Sequence, residues 1–195
     1  MQHICFVSLF HSILTTFSIP ENMKTIKIRN QVWTKKNLKV FKFRNGDIIP
    51  IVQDYQEWSK MTSAAMCINP DNGECYYNWY AVIDPKGLAP EGFHVPSDEE
   101  WDELVNHLGG NTVAGQDLKS QKKWDGSNFN GFNGLPAGYR DNYGSFYGVG
   151  SNAGWWSSSP NGGNSINRYL TSKCSNVYRS YDSPHYGFSV RLIQD

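Results

Sequence analysis

The densest set of side chains suited to molecular recognition lies in residues 161–186, NGGNSINRYLTSKCSNVYRSYDSPHY. Tyr offers a rigid ring with a polar tip, while Ser and Asn offer adaptable hydrogen bonds. That mixture is the composition of contact loops in binding proteins. Aromatic faces beside amides and carboxylates also suit sugar rings. With two tyrosines just upstream, the candidate ligand-binding residues are Tyr143, Tyr147, Asn167, Tyr169, Tyr178, Arg179, Tyr181 and Asp182, on loops spanning 141–186. A plainer reading stays open, that the segment is polar because water surrounds it.

Catalytic chemistry finds less support. The five His (3, 11, 94, 107 and 185) show no His-x-x-x-His spacing for a metal. No Gly-x-Ser-x-Gly elbow and no Gly-x-x-x-x-Gly-Lys phosphate loop occurs. Asn69-Pro70-Asp71-Asn72-Gly73 carries acceptor oxygens but reads first as a turn. Cys67 and Cys75 flank that turn and are the candidate disulfide, with a pair of buried thiols as the alternative. No cofactor or metal is expected.

These residues need elements to position them. The strongest is a helix over 97–108: Ser97 and Glu100 form a capping box, and Asp98, Glu99 and Glu100 lie at the positive end of its dipole. Trp101, Leu104, Val105 and Leu108 make one apolar stripe, and Gly109-Gly110 end it. The acidic cluster therefore reads as a helix-start device before it reads as catalytic carboxylates. Short strands are expected within 24–43, at 46–51, at 76–82 and at 186–193, with a helix or turn within 57–66. From Trp124 to Trp156 glycines punctuate aromatics without a fixed period, as in long loops anchored by core rings, and Trp79, Trp124, Trp155 and Trp156 are the anchors expected. The fold class is α+β, with short antiparallel strands, one clear helix and long Gly- and aromatic-rich loops.

Composition narrows the partners. The chain has 195 residues, 18 Lys plus Arg against 18 Asp plus Glu, and 14% aromatics. Such a balance leaves no general electrostatic footprint for nucleic acid or anionic lipid. Residues 4–19 carry no charged side chain but are too few for a comfortable membrane span. Residues 1–22 are read as a leader, either a signal segment lacking a basic start or an extension ahead of Met23, and 23–195 as one domain.

Six ordered motifs carry a resemblance. They are Val32-Trp33 with Asn37-Leu38, Tyr77-Asn78-Trp79-Tyr80-Ala81-Val82, Gly92-Phe93-His94-Val95-Pro96-Ser97-Asp98-Glu99-Glu100-Trp101, Leu135-Pro136-Ala137-Gly138-Tyr139-Arg140, Trp156-Ser157-Ser158-Ser159, and Gly187-Phe188-Ser189-Val190-Arg191. Over residues 32–194 the chain resembles the Fibrobacter succinogenes major paralogous domain family. The resemblance implies a single C-type lectin-like domain, near the formylglycine-generating-enzyme branch, with long loops on one face. It also implies secretion or display on a bacterial surface. Members commonly carry two cysteines where this chain has Ala89 and Leu192, and the resemblance implies that those two bridge each other.

Two activities that the resemblance suggests lack their residues. The oxidases use a pair of cysteines in the C-terminal half, where this chain has Cys174 alone. Calcium-dependent lectins use Glu-Pro-Asn or Gln-Pro-Asp and Trp-Asn-Asp triplets, and none occurs. The expectation is a non-enzymatic, extracellular or surface module binding a glycan or a protein. Its rival is a structural cell-envelope module without a dedicated ligand.

Overall fold

The computed structural model describes residues 23–195, so the leader expected over 1–22 lies outside the described residues. The chain opens on a hairpin of β1 (Thr25–Ile28) and β2 (Gln31–Thr34), with Ile28 opposite Gln31. Residues 46–51 do not form the expected strand. Only the isolated bridges Lys42–Ile48 and Ile51–Met66 occur there, and Pro50 between them has no N–H for a ladder. Helix α1 (Tyr55–Ser59) begins where the Asp54 carboxylate accepts from the amides of Gln56 and Glu57, both at 2.9 Å.

Strands β3 (Met66–Ile68) and β4 (Cys75–Tyr77) form a hairpin around the expected turn. Asn69 Oδ1 accepts from the Asp71 amide at 2.8 Å there, and Gly73 takes φ +68°. The strand expected over 76–82 stops at Tyr77. Buried Asn78 accepts from the Ala81 amide at 3.0 Å and starts α2 (Trp79–Val82) instead. Next come β5 (Phe93–His94) and α3 (Asp98–His107). The α3 capping box is formed: Ser97 Oγ accepts from the Glu100 amide at 3.2 Å, and Glu100 Oε2 accepts from the Ser97 amide at 2.7 Å. Trp101, Leu104 and Val105 are buried, as their spacing requires.

Two short helices, α4 (Ala114–Leu118) and α5 (Gln121–Trp124), lead to the small hairpin β6 (Tyr139–Arg140) and β7 (Phe146–Tyr147). The largest ladder follows, an antiparallel sheet in the order β10-β9-β8 from β8 (Asn152–Asn161), β9 (Asn164–Thr171) and β10 (Tyr178–Asp182). Much of the segment expected to be loop over 161–186 is therefore strand. The chain closes on β11 (Ile193–Gln194), which inserts between β2 and β5. The strand expected over 186–193 is only this end. Before it the chain bridges singly to Arg140, Tyr77 and Trp155 from Gly187, Phe188 and Ser189. Residues 187–192 are covered on both sides, so the expected half-buried alternation is absent.

Two large apolar clusters fill the interior. One joins Leu38, Met66, Tyr77, Trp156, Phe188, Val190 and Leu192, and it also holds Ala89. The other centres on Trp33, Trp101, Phe132 and Trp155, with Trp33 and Trp101 centroids 4.7 Å apart. Of the four expected anchors, Trp79, Trp155 and Trp156 are buried and Trp124 is partly so.

Buried arginines tie loops to this core. Arg191 donates to the carbonyls of Thr34 (2.7 Å) and Phe132 (2.8 Å) and to Asn37 Oδ1 (2.9 Å). Arg140 donates to the carbonyls of Gly144, Val52 and Gln53 at 2.8, 2.6 and 2.7 Å, between the rings of Trp58 and Phe146. Segments without ladder bonds thus satisfy buried carbonyls through guanidinium donors.

Candidate functional site

Side chains alternate across a strand, so the register of β8, β9 and β10 sorts the recognition residues onto two faces. Tyr169 stands opposite Gly154 and Tyr178, and Asn167 opposite Trp156 and Ser180. These residues share one face with Asn152 and Asp182. Arg168, Arg179 and Tyr181 point to the other face, towards α3.

The first face forms one wall of a cleft of about 300 Å³. Asn167, Tyr169, Ser180 and Asp182 line it from the sheet, and Tyr139, Tyr186 and Phe188 line the opposite side. A bridge between Arg140 and Gly187 brings that second wall together. Tyr139 and Tyr186 rings stack 6.2 Å apart, and Tyr186 and Phe188 5.8 Å apart. Gly154 is what lets the walls approach, because a Cβ there would stand 2.4 Å from Phe188 Cδ1.

The polar groups of the cleft are held in a definite order. Asn167 Nδ2 donates to Asp182 Oδ2 at 2.7 Å. A carboxylate only accepts, so this bond fixes which end of the amide faces Asp182. Asn167 Oδ1 is then left buried without a partner among the described residues. Such an atom carries a desolvation cost until a donor reaches it. Burial, and after it the carboxylates of Asp182 and Asp141, push the Tyr139 and Tyr186 phenols up from their ordinary range. Burial followed by Asp182 does the same to Tyr169. All three are therefore neutral phenols at physiological pH, fit to hold a ligand by hydrogen bonds and ring faces.

The structure divides the expected ligand-binding residues. Asn167, Tyr169 and Asp182 come together in the cleft. Tyr178 extends the wall by stacking on Tyr169 at 4.7 Å and 12°, with its hydroxyl 3.3 Å from Cys174 Sγ. Exposed Tyr147 packs 5.9 Å from Tyr139 at the margin. Tyr143 is 72% exposed on the β6–β7 turn and does not line the cleft.

Arg179 and Tyr181 lie on the other face, at the joint between sheet and helix. The Arg179 guanidinium bonds both Asp98 oxygens at 2.7–3.0 Å, lies over the Tyr181 ring and donates to its hydroxyl. Arg168 Nη1 stands 2.6 Å from Asp98 Oδ1, and Arg168 Nη2 stands 2.6 Å from Asp102 Oδ1. Burial works against the Asp98 charge, but bonds from Arg179 and Arg168 outweigh it and hold the carboxyl below its ordinary value. The acidic helix start is thus also a clamp. Sequence reasoning missed Tyr139 and Tyr186 as site residues. Their signal was position, each standing beside a partner of the Arg140–Gly187 bridge.

The candidate Cys67–Cys75 bridge is not formed; both are free, buried thiols, the alternative that the sequence left open. Cys67 pairs with Tyr76 and Cys75 with Ile68, so a one-residue offset turns the two sulfurs to opposite faces of the hairpin. Burial pushes the Cys67 thiol up to about 12. Among the described residues no group of three His, Cys, Asp or Glu is placed to share a metal ion. No helix there is long and apolar enough to cross a membrane.

A family model described as the Fibrobacter succinogenes major domain matches residues 26–194. The chain belongs to that family. No curated protein and no solved structure matches it. In this Fibrobacter succinogenes major domain the motif residues are mainly builders: Trp33, Trp101, Trp156, Arg140 and Arg191 are all buried. Only Tyr139 and Phe188 of those motifs also line the cleft.

Proposed function

We propose that this domain is a non-enzymatic binding module, secreted by or displayed on a bacterial cell, whose β8–β10 cleft holds a glycan. The observation that carries the reading is the pairing of aromatic walls with an unpartnered acceptor, Asn167 Oδ1, beside the Asp182 carboxylate. Sugar rings offer apolar faces for stacking and hydroxyl donors for such oxygens. A volume of about 300 Å³ is at the small end of ligand clefts, roughly 300–1,000 Å³. That size favours a sugar ring over a protein surface. A C-type lectin-like architecture is supported by the pairing of the N-terminal hairpin with C-terminal β11 in one sheet. Surface display or secretion rests on the family.

A glycan array with the full chain tests the reading, using Tyr186→Ala as the control. Wild-type binding that falls at least tenfold in the folded variant is expected. Wild-type protein that binds no glycan would overturn the reading and favour a purely structural envelope module.

A further inference from the structure

Charge inside the cleft specifies its ligand more closely. Among the described residues Asp182 is the only charged one lining it, with no Lys, Arg or His beside it. Among the described residues its carboxylate has no cationic partner, since Arg168 and Arg179 are committed to Asp98 and Asp102 on the opposite face of the sheet. Its one side-chain hydrogen-bond donor among the described residues is the Asn167 amide. A partly buried carboxylate with no cation beside it favours a counter-charge.

The other groups agree in sign. Asn167 Oδ1 is an acceptor, fully buried and unpartnered, and it sits on the same amide that holds Asp182. The rings of Tyr139, Tyr169 and Tyr186 line the same space, and the faces of aromatic rings attract cations. Carboxylate, orphaned acceptor and ring faces all call for a ligand that brings positive charge and N–H donors.

We infer that the glycan bears a free amine, and that the cleft takes an amino sugar with its ammonium between Asp182 and the Tyr139, Tyr169 and Tyr186 rings. This rests on the glycan reading above. An N-acetylated or neutral sugar fits less well, because it would leave Asp182 without a counter-charge in the filled cleft.

Isothermal titration of the full chain with a glucosamine tetrasaccharide and its N-acetylglucosamine counterpart tests this at pH 6.5. The free-amine ligand should bind at least tenfold more tightly, and the advantage should shrink as salt is raised. In Asp182→Asn, with melting temperature checked against wild type, the preference should vanish while residual binding remains. Equal binding of both tetrasaccharides, or preference for the acetylated one, would overturn the amine inference and leave the glycan reading standing. No binding to either, together with a blank glycan array, would overturn both. Binding of lysine methyl ester as tight as the glucosamine ligand would also overturn the inference, by making the amine of a protein the ligand.

Discussion

Asn167 and Asp182 meet across neighbouring strands, with Nδ2 donating to Oδ2 at 2.7 Å, and the bond leaves Asn167 Oδ1 buried without a partner. The pair is not directly cross-strand, since Asn167 stands opposite Ser180 and Asp182 opposite Ser165. The contact is diagonal, on the face that lines the cleft. A sheet that needed Asn167 only for stability would satisfy both ends of its amide. Here one end orients a carboxylate and the other is buried without a partner among the described residues.

Replacing Asn167 by Asp separates orientation from stability. The new carboxylate would meet Asp182 without a donor between them, and like charges at this distance repel. Ligand binding should fall at least tenfold, and thermal stability should drop more at pH 7 than at pH 4, where carboxylates begin to protonate. Unchanged binding would show that the Asn167–Asp182 bond does not order the site.

Gly154→Ala tests the fit of the two walls. Its Cβ would press on Phe188, which packs edge-on against Trp156 with centroids 4.6 Å apart. Overpacking of this kind costs about 1–3 kcal/mol. Urea unfolding should show that loss, and the displaced ring should weaken ligand binding as well. A variant as stable as wild type would mean that the wall yields freely.

The clamp between α3 and the sheet predicts a larger effect. Asp98→Ala leaves Arg168, whose side chain is 1% exposed, with Asp102 as its remaining acid partner. Removing one partner of a buried pair costs about 3–5 kcal/mol, and about 3 kcal/mol is expected because Asp102 remains. The folded carboxyl of Asp98 titrates below its ordinary value, so its contribution is present above the unfolded pKa and is lost as pH falls through the folded one. Acid unfolding of Asp98→Asn should be less steep than that of wild type. Equal acid sensitivity would contradict the clamp.

His94 carries the opposite sign. Its Nδ1 stands 2.7 Å from Asp195 Oδ1 and its Nε2 stands 2.8 Å from Glu100 Oε1, tying the C-terminus to the first turn of α3. Burial lowers the imidazole's affinity for a proton, but bonds to Asp195 and Glu100 outweigh it and raise the pKa above 6.5. This stabilisation is complete below the unfolded pKa and is lost as pH rises through the folded value. The side chain is 39% exposed, so the effect should stay below about 1 kcal/mol. Melting temperature should fall slightly on the alkaline side of neutrality in wild type and stay flat there in His94→Gln. A wild-type curve as flat as the variant's would contradict the tie.

The legible parts of the fold were those where local chemistry and tertiary role agree. Ser97 to Gly110 states a helix at every level, from cap to stripe to stop. Strand β9 was illegible because its pattern breaks the alternation rule: Ser165, Ile166, Asn167 and Arg168 are all buried, whichever face they point to. Arg168 is inside because Asp98 and Asp102 meet it there, and Asn167 because it anchors Asp182. Such partners lie some seventy or fifteen residues away, beyond any local window. Asn78 misled for a different reason, standing inside an aromatic run that reads as strand although it caps a helix. Tyr composition pointed to the β8–β10 sheet that lines the cleft and mixed its two faces, since only register separates Tyr169 from Tyr181.

The most direct test is two-dimensional NMR of the full chain titrated with the glucosamine tetrasaccharide. The Asn167 side-chain amide and the backbone amides of Gly154, Ser180, Asp182 and Tyr186 should shift together and saturate with one affinity. Shifts confined to the exposed β6–β7 turn around Tyr143, or to the Arg179–Tyr181 face, would contradict the cleft as the binding site.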